Sequence, residues 1–429
     1  MRIVYITAGA AGMYCGSCLH DNTLAAALAA LGEDVLLVPT YTPLRTDEAN
    51  VSIGRVFFGG INVYLQQKSA LFRRTPWWLD RLLDHPALLE RLARRAASVD
   101  PVRLGAMTVS MLRGEAGYQR KELEKLAHWL VSEVKPEVVH LSNTMQCGMA
   151  RLLRRGSGPI VCQLSGEDLF LEKLPPPHYD EARALLRERA ADVDAFVAIN
   201  HYYADFMADY LAADRSRVHV ISHGLRLEGH GTRSEKPPGE PRVIGFLARI
   251  CADKGLHLLV EACEQLAGRE DLPPFVLRAA GYLGEADRSY LEAIEGRVAG
   301  GKLAGRFQYV GELNRAEKIA FLQSLDVLST PTVYRESKGL PALEAMANAV
   351  PVVLPAHGSF PEMIADTGGG LLHRPHDSAD LAGRLAELLR DGARAQQLGL
   401  AGQQAVHERY DAATMARNTL DLYRRMVTR

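Results

Sequence analysis

Short continuous runs of apolar, strand-forming residues alternate along the chain with segments in which apolar residues recur every three or four positions. The first run, "RIVYIT" from Arg2, is followed by Leu24, Leu28 and Leu31 at helical spacing, then by Gly32 as a stop and by "DVLLV". That order predicts a β-α-β unit. The alternation returns in "EVVHLS", "PIVCQL", "DAFVAI" and "RVHVIS". Strands apolar at every position, rather than at every second one, predict a parallel sheet covered on both faces. The segment "RLEGHGTRSEKPPGEPR", 226–242, breaks the rhythm with glycine, proline and charge, as linkers do. A second series follows in "RVIGFLAR", "FVLRAAG", "RFQYVG", "DVLST" and "PVVLP". The expected fold class is α/β, with two Rossmann-like doubly wound domains, 1–232 and 242–408, facing each other across a cleft. Ligands of such domains bind beyond the carboxyl ends of the strands. The final segment predicts a helix over 411–429, with Met415, Leu420 and Tyr423 on its buried side.

Residues 66–118 depart from this rhythm. "LFRRTPWWLDRLLDHPALLERLARR" is basic and amphipathic and carries Trp77 and Trp78. The plainer reading is a helical cap with a solvated basic face. A peripheral membrane contact through 66–118 is the alternative, since arginine-aromatic helices also lie at lipid surfaces. No solenoid-type repeat and no low-complexity tract is evident.

Composition narrows the partners. The chain has 429 residues, 47% of them hydrophobic, and a net charge of −1 with acids and bases mixed. Two domains with ample core fit this length, and no broad positive field is available for nucleic acid. The start runs directly into a strand pattern without a signal peptide, and no apolar run approaches the roughly 20 residues of a membrane span. A cytoplasmic protein is expected. Six cysteines in this length are too sparse for a disulfide scaffold.

Two of those cysteines, Cys15 and Cys18 in "GMYCGSCLHDN", sit two residues apart where the first helix should open. Such a pair can be a redox dithiol, half of a metal site, or two small residues in a tight loop. Zinc wants four ligands; Cys15, Cys18 and His20 supply three, and Cys147 or Cys162 would have to come from elsewhere. A dithiol or metal-binding protein is one alternative function. A glycine-rich turn that lets backbone amides approach a phosphate is the other use of Gly12 and Gly16, with His20 and Asp21 reaching a substrate or Asp21 and Asn22 capping the helix.

The chemistry concentrates in the second half. "YRESKGLPALEAMANAVP" holds Glu336 in a glycine-containing loop after the strand "DVLST" and Glu344 near the front of the next helix, where Pro341 suits a first position. Upstream, "FLARICADKG" offers Arg249 on a loop and Lys254 opening a helix. Two cations so placed can hold a diphosphate from two sides. Taken singly, each is as well explained as a surface residue.

Together these elements resemble the donor domain of retaining glycosyltransferases of the GT-B class, family 4 (glycosyl transferases group 1). Arg249, Lys254 and Gly255 match its R-x4-K-G element, and Glu336 and Glu344 its E-x7-E element. Ala349 to Val352 match its G-x-P-V turn with alanine in the glycine place, and Gly358 and Glu362 match its G-G-x-x-E loop. The resemblance covers about 242–408. In the first half, His223 of "HGL" replaces an asparagine, and 57–73 is similar to a stretch of starch and glycogen synthases. Where many members carry a histidine in H-G-x-D, this chain reads Ser165, Gly166, Glu167 and Asp168. The histidine's part is lost or passes to Glu167, Asp168 or His140.

The resemblance implies transfer of a sugar from a nucleotide diphosphate sugar to an unidentified acceptor (glycan, lipid or small molecule). Arg249 and Lys254 would stabilise the leaving diphosphate, and Glu336 would bond the donor sugar. Glu344 would bond the ribose, and Gly16, Ser337, Gly339 and Leu340 are further donor-binding positions. His20, Asp21, His140, Glu167 and Asp168 are acceptor-side candidates. No cofactor is implied and no metal required; "DVD" at 192–194 reads as a turn rather than a metal-binding D-x-D. The C-terminal helix would pack back on the first domain. A sugar-nucleotide epimerase or an inactive sugar-binding relative is the alternative on the same fold.

Overall fold

Burial on both faces is what turns the apolar runs into parallel strands. The computed structural model of the chain describes residues 1–9, 16–54, 56–58, 63, 65–67, 69, 73, 101–231, 233 and 239–428. Strand β1 (Arg2–Thr7) has only its first residue exposed, and β3 (Val138–Leu141), β4 (Ile160–Gln163) and β5 (Ala195–Ala198) are buried throughout. With β2 (Asp34–Pro39) and β6 (Val218–Val220) they form a parallel sheet in the order β2-β1-β3-β4-β5-β6. Helix α1 (Gly16–Ala30) buries Leu24 and Leu28. Leu31 falls past its end and is exposed, so the stripe is one residue shorter than its spacing predicts. Helices α2 (Pro101–Leu112), α3 (Arg120–Trp129), α4 (His178–Arg189) and α5 (His201–Leu211) complete this part of the chain.

The second sheet repeats the design. Strands β7 (Arg242–Leu247), β8 (Phe275–Ala280), β9 (Phe307–Tyr309), β10 (Val327–Ser329), β11 (Val352–Pro355) and β12 (Gly370–His373) lie parallel in the order β12-β11-β10-β7-β8-β9. Around them run α6 (Leu256–Leu266), α7 (Arg288–Ala299), α8 (Arg315–Gln323), α9 (Leu340–Met346), α10 (Phe360–Thr367), α11 (Ser378–Arg390) and α12 (Gly392–Arg409). The chain order reverses between β7 and β10, as it does between β1 and β3 in the first sheet.

The chain divides into two units, Met1–Gly224 with Ala412–Arg429, and Leu225–Asp411. Residues 226–231, expected within a linker, and Leu225 before them are tied into the second unit. The Leu225 N–H donates to Tyr410 O at 2.7 Å, the Arg315 guanidinium donates to the carbonyls of Arg226 and Glu228, and the Gly231 N–H donates to Asn348. Helix α13 (Ala412–Val427) returns to the first unit, where it lies against α1 and buries Met415, Leu420 and Tyr423 in a cluster with Ile3, Tyr5, Leu24 and Leu28. Of the expected insertion at 66–118, α2 buries Val109 and Leu112 in the first unit's core. Trp77 and Trp78 lie outside the described residues. Among the described residues, no helix is long and apolar enough to cross a membrane.

Tyr423 joins apolar packing to one polar bond, since its hydroxyl meets His140 Nδ1 inside the unit. Replacing it separates the two contributions. Tyr423→Ala should lower the unfolding free energy by about 4 kcal/mol through lost packing, and Tyr423→Phe by about 1 kcal/mol. Urea unfolding followed by circular dichroism measures both; equal losses would refute this division.

Candidate functional site

In the second unit, the loops after β7 and β10 meet where the chain order reverses, the usual place for a ligand in an open parallel sheet. The Val333 N–H donates to Asp253 O at 2.9 Å, joining the two loops. Gly255 makes that approach possible: its φ is +78°, and a Cβ there would lie 1.9 Å from Pro331 O. Lys254 therefore closes a short 3-10 turn, Ala252–Lys254, and α6 opens at Leu256 rather than at the lysine. Gly358, at φ +61°, brings the loop after β11 against the backbone of Glu336, whose carbonyl accepts from the Ser359 N–H at 2.8 Å.

Glu336 is 8% exposed. Its Oε2 accepts from Lys254 Nζ at 2.7 Å and from the Tyr334 hydroxyl at 2.7 Å, while Oε1 accepts from the Lys338 N–H at 3.2 Å. Lys254 also donates to the Tyr334 oxygen. Burial pushes the Glu336 carboxyl upward, but Lys254 and the donated hydrogen bonds outweigh it and hold the pKa at about 2. Arg249, on the same loop as Lys254, is exposed, and its Nε lies 3.4 Å from Cys251 Sγ.

Glu344, in the second turn of α9, is buried and pairs with a different cation, Lys318 Nζ at 2.6 Å. The Asn348 side chain donates to the Glu344 carbonyl at 2.9 Å and meets His230 Nδ1 at 2.8 Å. Burial, then Arg315 and Lys318, lowers the His230 pKa to about 4, so this ring is neutral at pH 7. Gly339 is the left-handed residue before α9 (φ +66°); Leu340 begins the helix, Pro341 takes its second position, and Ser337 and Leu340 are buried. Sequence reading missed Tyr334 and Lys318, the partners of the two glutamates. Tyr334 stood in the quoted motif, whereas nothing local marks Lys318.

In the first unit, most of the acceptor-side candidates turn inward. Gly16 is the first residue of α1, so Asp21 stands in its second turn and caps nothing. Its carboxylate accepts from the Tyr5 hydroxyl at 2.8 Å and from Thr7 Oγ1 at 2.6 Å, pinning α1 to β1. Asn22 likewise serves the fold, through Val51 N and Ala49 O. His20 is buried, with its Nδ1 2.7 Å from Nδ1 of His223. At that distance one ring must donate and the other accept, so the bond exists only while one of the two facing nitrogens is deprotonated.

His140 is 0% exposed in mid-sheet, stacked on Tyr5 with ring centroids 4.4 Å apart. Burial, and then His20 nearby, drops its pKa to about 3. Glu167 accepts from Thr144 N, Thr144 Oγ1 and Ser165 N, which binds the loops after β3 and β4 together. These two candidates are committed to the interior. Asp168 is partly exposed; its Oδ1 accepts from the Tyr203 hydroxyl at 2.6 Å, and burial raises its pKa.

Cys15 lies outside the described residues, and Cys18 is buried. Cys147 and Cys162 face each other, Sγ to Sγ 3.7 Å, in a different core cluster from Cys18. Among the described residues no group of three or more His, Cys, Asp or Glu side chains could hold a metal ion. In "DVD", Asp192 ends the 3-10 turn Ala190–Asp192 and pairs with Arg151, and Asp194 accepts from Ile160 N at 2.7 Å.

The family model described as Glycosyl transferases group 1 matches residues 232–405, and that described as Glycosyltransferase Family 4 matches residues 22–228. Among curated proteins, the chain is similar to D-inositol 3-phosphate glycosyltransferase of Nocardia farcinica, 27% identical over 333 residues, 70% of this chain and 66% of the relative. It is also similar to alpha-maltose-1-phosphate synthase of Mycobacterium tuberculosis, 34% identical over 245 residues, 52% of this chain and 60% of the relative. The matches span less than two thirds of either relative's length. Among solved structures, sucrose-phosphate synthase from Thermosynechococcus elongatus has a TM-score of 0.73 at 18% identity, covering 99% of both chains. HepE of Anabaena in complex with UDP-glucose has a TM-score of 0.65 at 16% identity, covering 98% of this chain and 99% of that one. At these identities the likeness is one of fold.

The depressed Glu336 pKa has a direct consequence for stability. A carboxyl titrating at about 2 when folded, against an ordinary 4.5, contributes fully above about pH 4.5, and its contribution disappears as pH falls through 2. Glu336→Gln lacks that term. The difference in unfolding free energy between the unmodified chain and Glu336→Gln should shrink by on the order of 2 kcal/mol between pH 5 and pH 3. Urea titrations at pH 5, 4 and 3 would show it; a difference constant with pH would contradict the ion pair.

Proposed function

Since the chain belongs to the glycosyltransferases of GT-B fold, we propose that it moves a hexose from a nucleoside diphosphate sugar to an acceptor hydroxyl, retaining the anomeric configuration. The observation that supports this reading lies at the reversal of strand order in the second unit: Lys254 bonds the buried, ionised Glu336 carboxylate at 2.7 Å, and Arg249 lies on the same loop as Lys254. Negative charge grows on the diphosphate as the anomeric C–O bond breaks. Arg249 and Lys254 would meet that charge, each fixed cation contributing roughly 3 kcal/mol to lowering the barrier. Their two charges match the leaving group, and we expect turnover without added divalent metal.

Glu336 would accept hydrogen bonds from hydroxyls of the transferred sugar, and Glu344, held by Lys318, from the ribose diol. Neither is assigned as an acid or base. In the retaining course, the acceptor oxygen attacks the face that the diphosphate leaves, and the acceptor proton passes to a departing phosphate oxygen. Asp168, steadied by Tyr203, is our acceptor-side residue in the first unit. The UDP-glucose complex of HepE supports a nucleotide sugar as the donor class.

A thermal-shift screen against UDP, GDP and ADP sugars tests the donor claim. A sugar present at about 100 times its dissociation constant should add about 2.7 kcal/mol of stability. With the responding donor, Arg249→Ala should cut turnover by about a hundredfold or more, and NMR should show the donor's anomeric configuration kept. No response to any of these sugars, or an inverted product, would overturn the reading.

A further inference from the structure

Tyr334 belongs to neither the R-x4-K-G element nor the E-x7-E element, yet it closes a ring of hydrogen bonds with a member of each. Its hydroxyl donates to Glu336 Oε2 at 2.7 Å and accepts from Lys254 Nζ, which itself donates to the same Oε2 at 2.7 Å. The ammonium also sits over the tyrosine ring, with Nζ 4.9 Å from the centroid. Arg249 and Cys251 lie near Tyr334 on the loop after β7, His357 lies near Glu336 on the loop after β11, and Lys338 donates its N–H to Glu336 from the same loop as Tyr334.

In this arrangement Lys254 is already engaged. Two of its three N–H donors are taken by Glu336 and Tyr334; a diphosphate that draws the ammonium toward itself weakens its bond to Glu336, and a buried carboxylate that loses its cation is strongly destabilised unless another donor remains. The Lys338 N–H reaches only the other oxygen, Oε1. The Tyr334 hydroxyl can keep donating to Oε2 whichever way the ammonium turns. We propose that Tyr334 is a positioning residue that holds Glu336 in place while Lys254 passes from the carboxylate to the donor's diphosphate. This rests on reading Arg249, Lys254 and Glu336 as the donor site.

A double-mutant cycle on diphosphate affinity tests the proposal, because a residue acting through Lys254 has no effect once Lys254 is gone. The full chain is titrated calorimetrically with UDP, GDP and ADP, and the tightest binder is carried forward. Tyr334→Phe, which keeps the ring, should weaken that diphosphate about tenfold when Lys254 is present and less than about twofold in a Lys254→Met background. Equal losses in both backgrounds would make Tyr334 a direct ligand contact and overturn the proposal, as would no loss in the single variant. If the double variant does not fold, the single variant still decides, since unchanged affinity refutes the role. Failure of all three diphosphates to bind the unmodified chain would instead remove the donor-site reading, and the proposal with it.

Discussion

A carboxylate withdrawn from water must be matched by donors, and the arrangement around Glu336 follows from that requirement. The matching cation comes from another loop, Lys254, 82 residues away in the chain. For the two loops to meet, backbone must pass within contact distance of backbone at Gly255 and again at Gly358, positions where a Cβ would collide with Pro331 and Glu336. The glycines of the sequence motifs are thus spacers that allow a charge to be paired at the strand-order reversal.

The first unit obeys the same rule with a different outcome. Asp21 and Glu167 are buried carboxylates that accept from Tyr5, Thr7, Thr144 and Ser165, and His140 meets Tyr423 through Nδ1 while its buried Nε2 has no hydrogen-bond partner among the described residues. Their bonds join α1 to β1, α13 to the sheet, and two loops to each other. Residue types that suggest catalysis in a sequence also make internal fastenings here.

This difference explains what could be read from the sequence. The two parallel sheets were legible because apolar runs, helical spacing and glycine stops are local signals. The places of Arg249, Lys254, Glu336 and Glu344 in the fold were legible because each motif lies within one loop and the start of one helix. Pairings were not legible: His20 meets His223 across 203 residues and His140 meets Tyr423 across 283, and no local pattern encodes such distances. Ala349 was a partial signal. It takes a left-handed φ of +56° at the end of α9, the backbone state for which the resembled family uses glycine.

Helix α13 belongs to the unit in which the chain begins, and it is reached only after the whole second unit has been traversed. Leu225 and Tyr410 are hydrogen-bonded to each other, so that second unit is a closed insert with adjoining ends. During synthesis it possesses all its parts once Asp411 has emerged, whereas the first unit still lacks the helix that covers Leu24 and Leu28. Domains usually complete their folding in the order in which they are made. In this chain the core of the unit begun first is closed by a segment that follows the whole of the second unit.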